Sequence, residues 1–155
     1  MTITNMAEIG GMCVGLFTLI RGGVEYRRQG TQKRADLFLR MRDRWVEFNE
    51  VCVLLGKTDA QSIRELKEIP FQRKQDFLGL YEEIALLTNS GMLRPQAVYY
   101  MFGYYALRCD ESDAFWNSIN RHSMYWLVFN DFVQQMKAME RKSSTRKFNR
   151  RAFKL

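Results

Sequence analysis

Few side chains in this sequence are equipped for chemistry. A single histidine, His122, lies in a polar Asn-Arg-His-Ser stretch, so a site built from several histidines is excluded. Zinc would need cysteine partners, but Cys13, Cys52 and Cys109 lie 39 and 57 positions apart with no CxxC pair. Their odd count also argues against a closed disulfide framework and fits a reducing compartment. The acidic clusters are Glu82-Glu83 and Asp110-Glu111-Asp113. Neighbouring residues on a helix point to different faces, and acids that open a helix favour its positive end, so helix electrostatics accounts for both clusters. Neither GxxxxGK[ST], GxGxxG nor GxSxG occurs, which leaves a nucleotide cradle or nucleophile elbow without local support. The expectation is a non-enzyme with no catalytic residues, no metal and no cofactor. An unrecognised hydrolase working through Glu82, Glu83 and Asp113 is the remote alternative.

Polyanion binding is the better-supported chemistry. The formal charge of +7 resides in residues 141 to 155, which hold seven basic residues and no acid and leave 17 of each sign in the remainder. Arg141, Lys142, Arg146, Lys147, Arg150, Arg151 and Lys154, with Phe148 and Phe153 among them, would attract any polyanion. An anionic membrane leaflet would gain about 1 kcal/mol per nearby cation. A nucleic acid would offer phosphates to the cations and unpaired bases to the rings. A solvated, disordered terminus is the third reading.

The remaining charge is also uneven: residues 21 to 44 carry eight basic and three acidic side chains, whereas 45 to 140 carry nine and thirteen. The basic cluster follows an apolar stretch from Ile3 to Ile20 that stops at Arg21. Eighteen helical residues at about 1.5 Å each reach roughly 27 Å, just short of a ~30 Å hydrocarbon core. Glu8 opposes insertion, at a cost on the order of 2.5 to 3.5 kcal/mol in deep hydrocarbon, and is bearable only near an end. No basic residue precedes the stretch, while Arg21, Arg27, Arg28, Lys33 and Arg34 follow it. That asymmetry predicts an outer N-terminus and a cytoplasmic C-terminus in an inner or plasma membrane. A signal peptide would carry its positive charge before the apolar run and a small-residue cleavage site after it. A buried helix of a soluble bundle is the serious rival. Gly11 and Gly15 form a GxxxG pair through which two anchors could approach and oligomerise.

Helical periodicity organises the rest. Phe38, Met41, Trp45, Phe48, Cys52 and Leu55 recur at 3, 4, 3, 4, 3, predicting one helix from about 30 to 55. Gly56 reads as its stop, Thr58 or Asp59 as the next N-cap, and Pro70 as the following stop. Phe77, Leu80, Tyr81, Ile84 and Leu87 mark a helix from Phe71 to Thr88, closed by Asn89-Ser90-Gly91, and Pro95 opens another carrying Val98, Phe102, Tyr105 and Cys109. Tyr125, Phe129, Phe132, Met136 and Met139 repeat 4, 3, 4, 3 in a last helix starting near 112 or 122 and ending at 140. Gly103, among Tyr99, Tyr100, Tyr104 and Tyr105, predicts a close approach of a neighbouring element.

The anchor, followed by Arg34-Ala-Asp-Leu-Phe-Leu-Arg-Met-Arg-Asp-Arg-Trp45 and Phe77-Leu-Gly-Leu-Tyr-Glu-Glu-Ile-Ala-Leu-Leu-Thr-Asn-Ser-Gly-Met-Leu93, resembles small uncharacterised bacterial and phage proteins with one N-terminal membrane helix and a cytoplasmic helical domain. The resemblance covers residues 5 to 135, implies that architecture, and carries no activity or site residue with it. The expectation is therefore an all-α protein. An anchor helix over 1–22 continues into a four- to five-helix bundle over 23–140, with a disordered basic tail over 141–155. Its expected function is that of a membrane-anchored interaction or regulatory protein with an unidentified protein partner. A nucleic-acid-binding accessory protein using the tail is the alternative.

Overall fold

The computed structural model describes Glu25 and residues 28–145, and every described element is helical. The apolar stretch 3–20, with Gly11 and Gly15, as well as Arg21, Arg27 and residues 146–155, lies outside the described residues. Among the described residues no helix is long and apolar enough to cross a membrane. Internal contacts divide the chain into Met1–Asp36 and Leu37–Leu155.

In the first unit residues 28–36 are helical, and Gln29 reaches back one turn to the Glu25 carboxylate at 3.4 Å. The second unit opens with helix α1 over 37–46, followed by α2 (Asn49–Leu55), α3 (Ala60–Glu68) and α4 (Phe71–Asn89). Next come α5 (Pro95–Val98), a π-helical turn (Tyr99–Gly103) and α6 (Tyr104–Glu111). The chain ends with α7 (Asp113–Trp116), a 3-10 turn (Met124–Trp126) and α8 (Leu127–Thr145).

The helix expected over 30–55 is broken at Glu47 and Phe48, where the Glu47 and Phe48 amides bond back only three residues, to Arg44 and Trp45. A long-range partner explains the break. Arg73 of α4 donates to the Glu47 carbonyl and to Glu50 Oε1 at 2.9 Å, and its guanidinium lies 4.3 Å over the Phe48 ring. The apolar stripe survives: Met41, Phe48, Cys52 and Leu55 are buried on both sides of the turn. Local signals set the next boundaries. Asp59 caps α3 by accepting from the Ser62 amide at 2.9 Å and the Ser62 hydroxyl at 2.8 Å. Pro70 then holds Ile69 in an extended conformation at the end of α3.

Helix α4 is the spine. Phe77, Leu78, Leu80, Tyr81, Ile84 and Ala85 are all buried and share one broad face, while Asp76, Glu83 and Leu86 on the other side are exposed. It packs on α8 and α5, while α2 packs on α3 and α6, α3 on α7, and α6 on α8. Aromatic rings fill the centre: Tyr81 meets Phe77 at 4.9 Å and both Phe129 and Phe132 at 6.0 Å, and Phe77 meets Phe48 and Phe115 at 5.6 Å. Gly91, at φ 72°, turns the chain out of α4 in the left-handed conformation that glycine adopts without strain.

The helix expected from Pro95 contains a π-helical turn that periodicity does not reveal. A Cβ at Gly103 would stand 2.9 Å from a carbon of the Tyr99 ring and 3.4 Å from the Met136 sulfur. The close approach expected at Gly103 is therefore real, and its occupants are the turn's own first side chain and α8. The buried Tyr81 hydroxyl donates to the Phe102 carbonyl within this turn at 3.1 Å and accepts from Trp45 Nε1 at 3.2 Å. The last helix also starts later than expected. Residues 113–116 form separate α7, capped by the Ser112 hydroxyl, and α8 begins at Leu127 and continues through 141–145. Arg141 and Lys142 thus belong to α8, and Lys142 lies in its last turn, where the helix dipole favours a cation.

Candidate functional site

The two sets of cations singled out in the sequence are placed in part. Arg28, Lys33 and Arg34 are exposed on the helical run of the first unit. Arg141 and Lys142 are exposed near the end of α8, whereas Arg146, Lys147, Arg150, Arg151 and Lys154 lie outside the described residues.

The residues weighed for catalysis are not brought together. On α4, Glu83 forms a paired contact with Arg44 of α1, while the half-buried Glu82 accepts from the Phe129 backbone N–H. Desolvation holds the Glu82 carboxyl above its ordinary range, the amide pulling it down only in part. Asp113 opens α7 and is exposed, and His122 is exposed in the turn before the 3-10 segment. Cys52 and Cys109 are buried free thiols; burial pushes Cys52 up to about 12 and Cys109 well above its ordinary value, which suppresses the reactive thiolate. Among the described residues no group of three His, Cys, Asp or Glu is placed to hold a metal ion.

A half-open groove of ≈ 320 Å³ lies where the α2–α3 loop and α3 face the α6–α7 junction. Leu55, Leu66 and Ala114 line its apolar part. Lys57, Lys67 and Arg108 are its cations, and Arg108 is already committed, donating from Nε to the Leu55 carbonyl at 3.1 Å and pairing with Glu111 at 3.6 Å.

A different region carries the two most exposed large apolar side chains among the described residues, Tyr125 and Met124. Met124, Tyr125 and Leu127 are 75%, 79% and 59% exposed, with the half-buried Trp126 between them. Periodicity assigns Tyr125 to the core stripe of the last helix, and the structure overturns that assignment. A 3-10 turn advances 120° per residue, so residues before Leu127 are out of register with α8, whose buried stripe starts at Phe129. One sequence signal points to this knuckle: Met124-Tyr-Trp-Leu-Val-Phe129 is six consecutive apolar residues, more than one helix face can bury.

The knuckle is held from beneath. The Ser123 hydroxyl accepts from the Tyr125 amide at 3.4 Å, and the Ser123 carbonyl accepts from the Trp126 amide at 3.1 Å. Arg121 lies 5.4 Å over the Trp116 ring and donates to the Asp110 carbonyl, while Asn130 Nδ2 donates to the Arg121 carbonyl at 3.3 Å. Lys137 pairs with the Asp110 carboxylate at 2.7 Å, and Trp116 Nε1 donates to the Cys109 carbonyl at 2.9 Å. These contacts tie the loop on both sides of the knuckle to α6, α7 and α8.

No protein-family pattern, curated protein sequence or solved structure matches this chain.

Proposed function

We propose that this chain is a membrane-anchored, non-enzymatic helical protein that presents its folded domain to a partner at the cytoplasmic surface. The carrying observation is the apolar stretch from Ile3 to Ile20, which stops at Arg21 and is followed by a helical run bearing exposed Arg28, Lys33 and Arg34. Apolar length followed by one-sided cations is the pattern that places a C-terminal domain in the cytoplasm. The exposed Arg141 and Lys142 support a second electrostatic contact at the end of α8, with anionic lipid headgroups as its ligand. The tail's seven cations favour nucleic acid as the second reading.

Fractionation of cells expressing the full chain and a form lacking residues 1–22 distinguishes these readings. The expected result is a full chain that stays in the pellet through high-salt and alkaline washes and a truncated form in the supernatant. Release by salt alone would assign membrane association to the cations. A full chain found in the supernatant from the start, with salt-sensitive DNA or RNA binding that deletion of 141–155 abolishes, would establish the nucleic-acid reading instead.

A further inference from the structure

We infer that the Met124–Leu127 knuckle is a second membrane contact, seated in the headgroup region of an anionic bilayer. The inference rests on the membrane residence proposed above and names the surface of the domain that meets the lipid.

Three observations converge on it. The first is composition and exposure. Met124, Tyr125 and Leu127 are exposed on one short turn, with the half-buried Trp126, packed against the core, among them. Tyrosine and tryptophan have an apolar body and a polar end, the combination that settles where hydrocarbon meets headgroups. The second is charge. From Ala114 to Asn130, between the exposed Asp113 and Asp131, the chain contains no carboxylate, so the turn itself brings no acid to an anionic surface. The third is size and rigidity. A few side chains on one turn cannot supply the roughly 800 Å² per partner of a stable protein interface. They suffice for a shallow contact that supplements an anchor, because two membrane signals hold a chain where one is marginal. The Ser123 cap and the Arg121–Trp116–Asp110 contacts fix the turn beforehand, so seating it orders little further chain.

Trp126 supplies the reporter. The full chain is reconstituted in phosphatidylcholine–phosphatidylglycerol vesicles whose acyl chains carry bromine close to the headgroups, and tryptophan emission is read alongside flotation after alkaline extraction. The expected result is quenching of the full chain, loss of most of it in Trp126→Phe, and loss in Tyr125→Ser/Leu127→Ser, with flotation unchanged in both variants. The double variant alters exposed side chains and keeps the reporter, so it guards against a folding defect in Trp126→Phe. A chain that floats but is unquenched, or is quenched equally in Trp126→Phe, overturns the knuckle contact and leaves the anchor standing. Quenching that depends on the knuckle in a chain that alkali releases keeps the contact and overturns the anchor. Absence of both flotation and quenching overturns both. Absence of quenching with a concentration-dependent dimer that the double variant abolishes assigns the knuckle to a second copy and overturns the lipid contact.

Discussion

The centre of the domain and the Met124–Leu127 knuckle are built from the same kinds of side chain and place them oppositely. Tyr81 is fully buried, ringed by Phe77, Phe129 and Phe132, with its hydroxyl both donating to the Phe102 carbonyl and accepting from Trp45. Tyr125 is 79% exposed. The contrast teaches that an aromatic residue's role here follows from register: one helical phase carries Tyr81, Ile84 and Thr88 into the core, and a single 3-10 turn before α8 takes Tyr125 out of it.

The sharpest break of that contrast is a cavity at the centre. Phe77→Ala is expected to cost about 3–5 kcal/mol, since Phe77 is fully buried and its ring meets those of Phe48, Tyr81 and Phe115. Urea unfolding followed by far-ultraviolet circular dichroism checks this through the midpoint. Tyr81→Phe keeps the volume and removes the hydroxyl, leaving Trp45 Nε1 and the Phe102 carbonyl without the partner they share. About 1–3 kcal/mol should be lost, with the slope of the urea transition unchanged.

A smaller effect of opposite sign is expected at Lys74, which is fully buried on α4, donates only to the Lys67 carbonyl at 3.3 Å and lies 5.9 Å from the Phe115 ring. Burial lowers its pKa from the ordinary 10.5. Between the lowered value and 10.5 the unfolded chain binds more protons than the folded one, so stability rises with pH across that window. Below the lowered value the cost of burying the ammonium is present in full. Lys74→Met should therefore gain about 1 kcal/mol at neutral pH and flatten the rise, as read by urea midpoints taken across the pH series. The smallest effect belongs to the knuckle: Tyr125→Ala should change the folding free energy by no more than about 0.5 kcal/mol in the same assay. A cost comparable to that of Tyr81→Phe would return Tyr125 to the core.

Much of the fold was legible because its signals are local. The stripe from Met41 to Leu55 is buried as its spacing predicts, Asp59 caps α3, Pro70 ends it, Gly91 turns the chain out of α4 and Pro95 opens α5. What escaped the sequence depends on partners far along the chain. Helix α1 ends before Glu47 where Arg73, 26 positions later, takes a carbonyl. The π-helical turn depends on how Tyr99, Gly103 and Met136 share space. Of the candidate functional residues, the exposed cations were legible from charge alone. The knuckle was not, because Tyr125 fits the spacing of a helix that had not yet begun.

The most direct test of the membrane assignment is trypsin digestion of sealed cells and of inside-out membrane vesicles carrying the full chain, followed with an antibody to the C-terminal tail. The anchored, N-terminus-out arrangement predicts that the arginine- and lysine-rich tail survives in sealed cells and is cut in the vesicles. A tail cut from outside sealed cells would contradict the orientation, and a chain that never sediments with the vesicles would contradict the anchor.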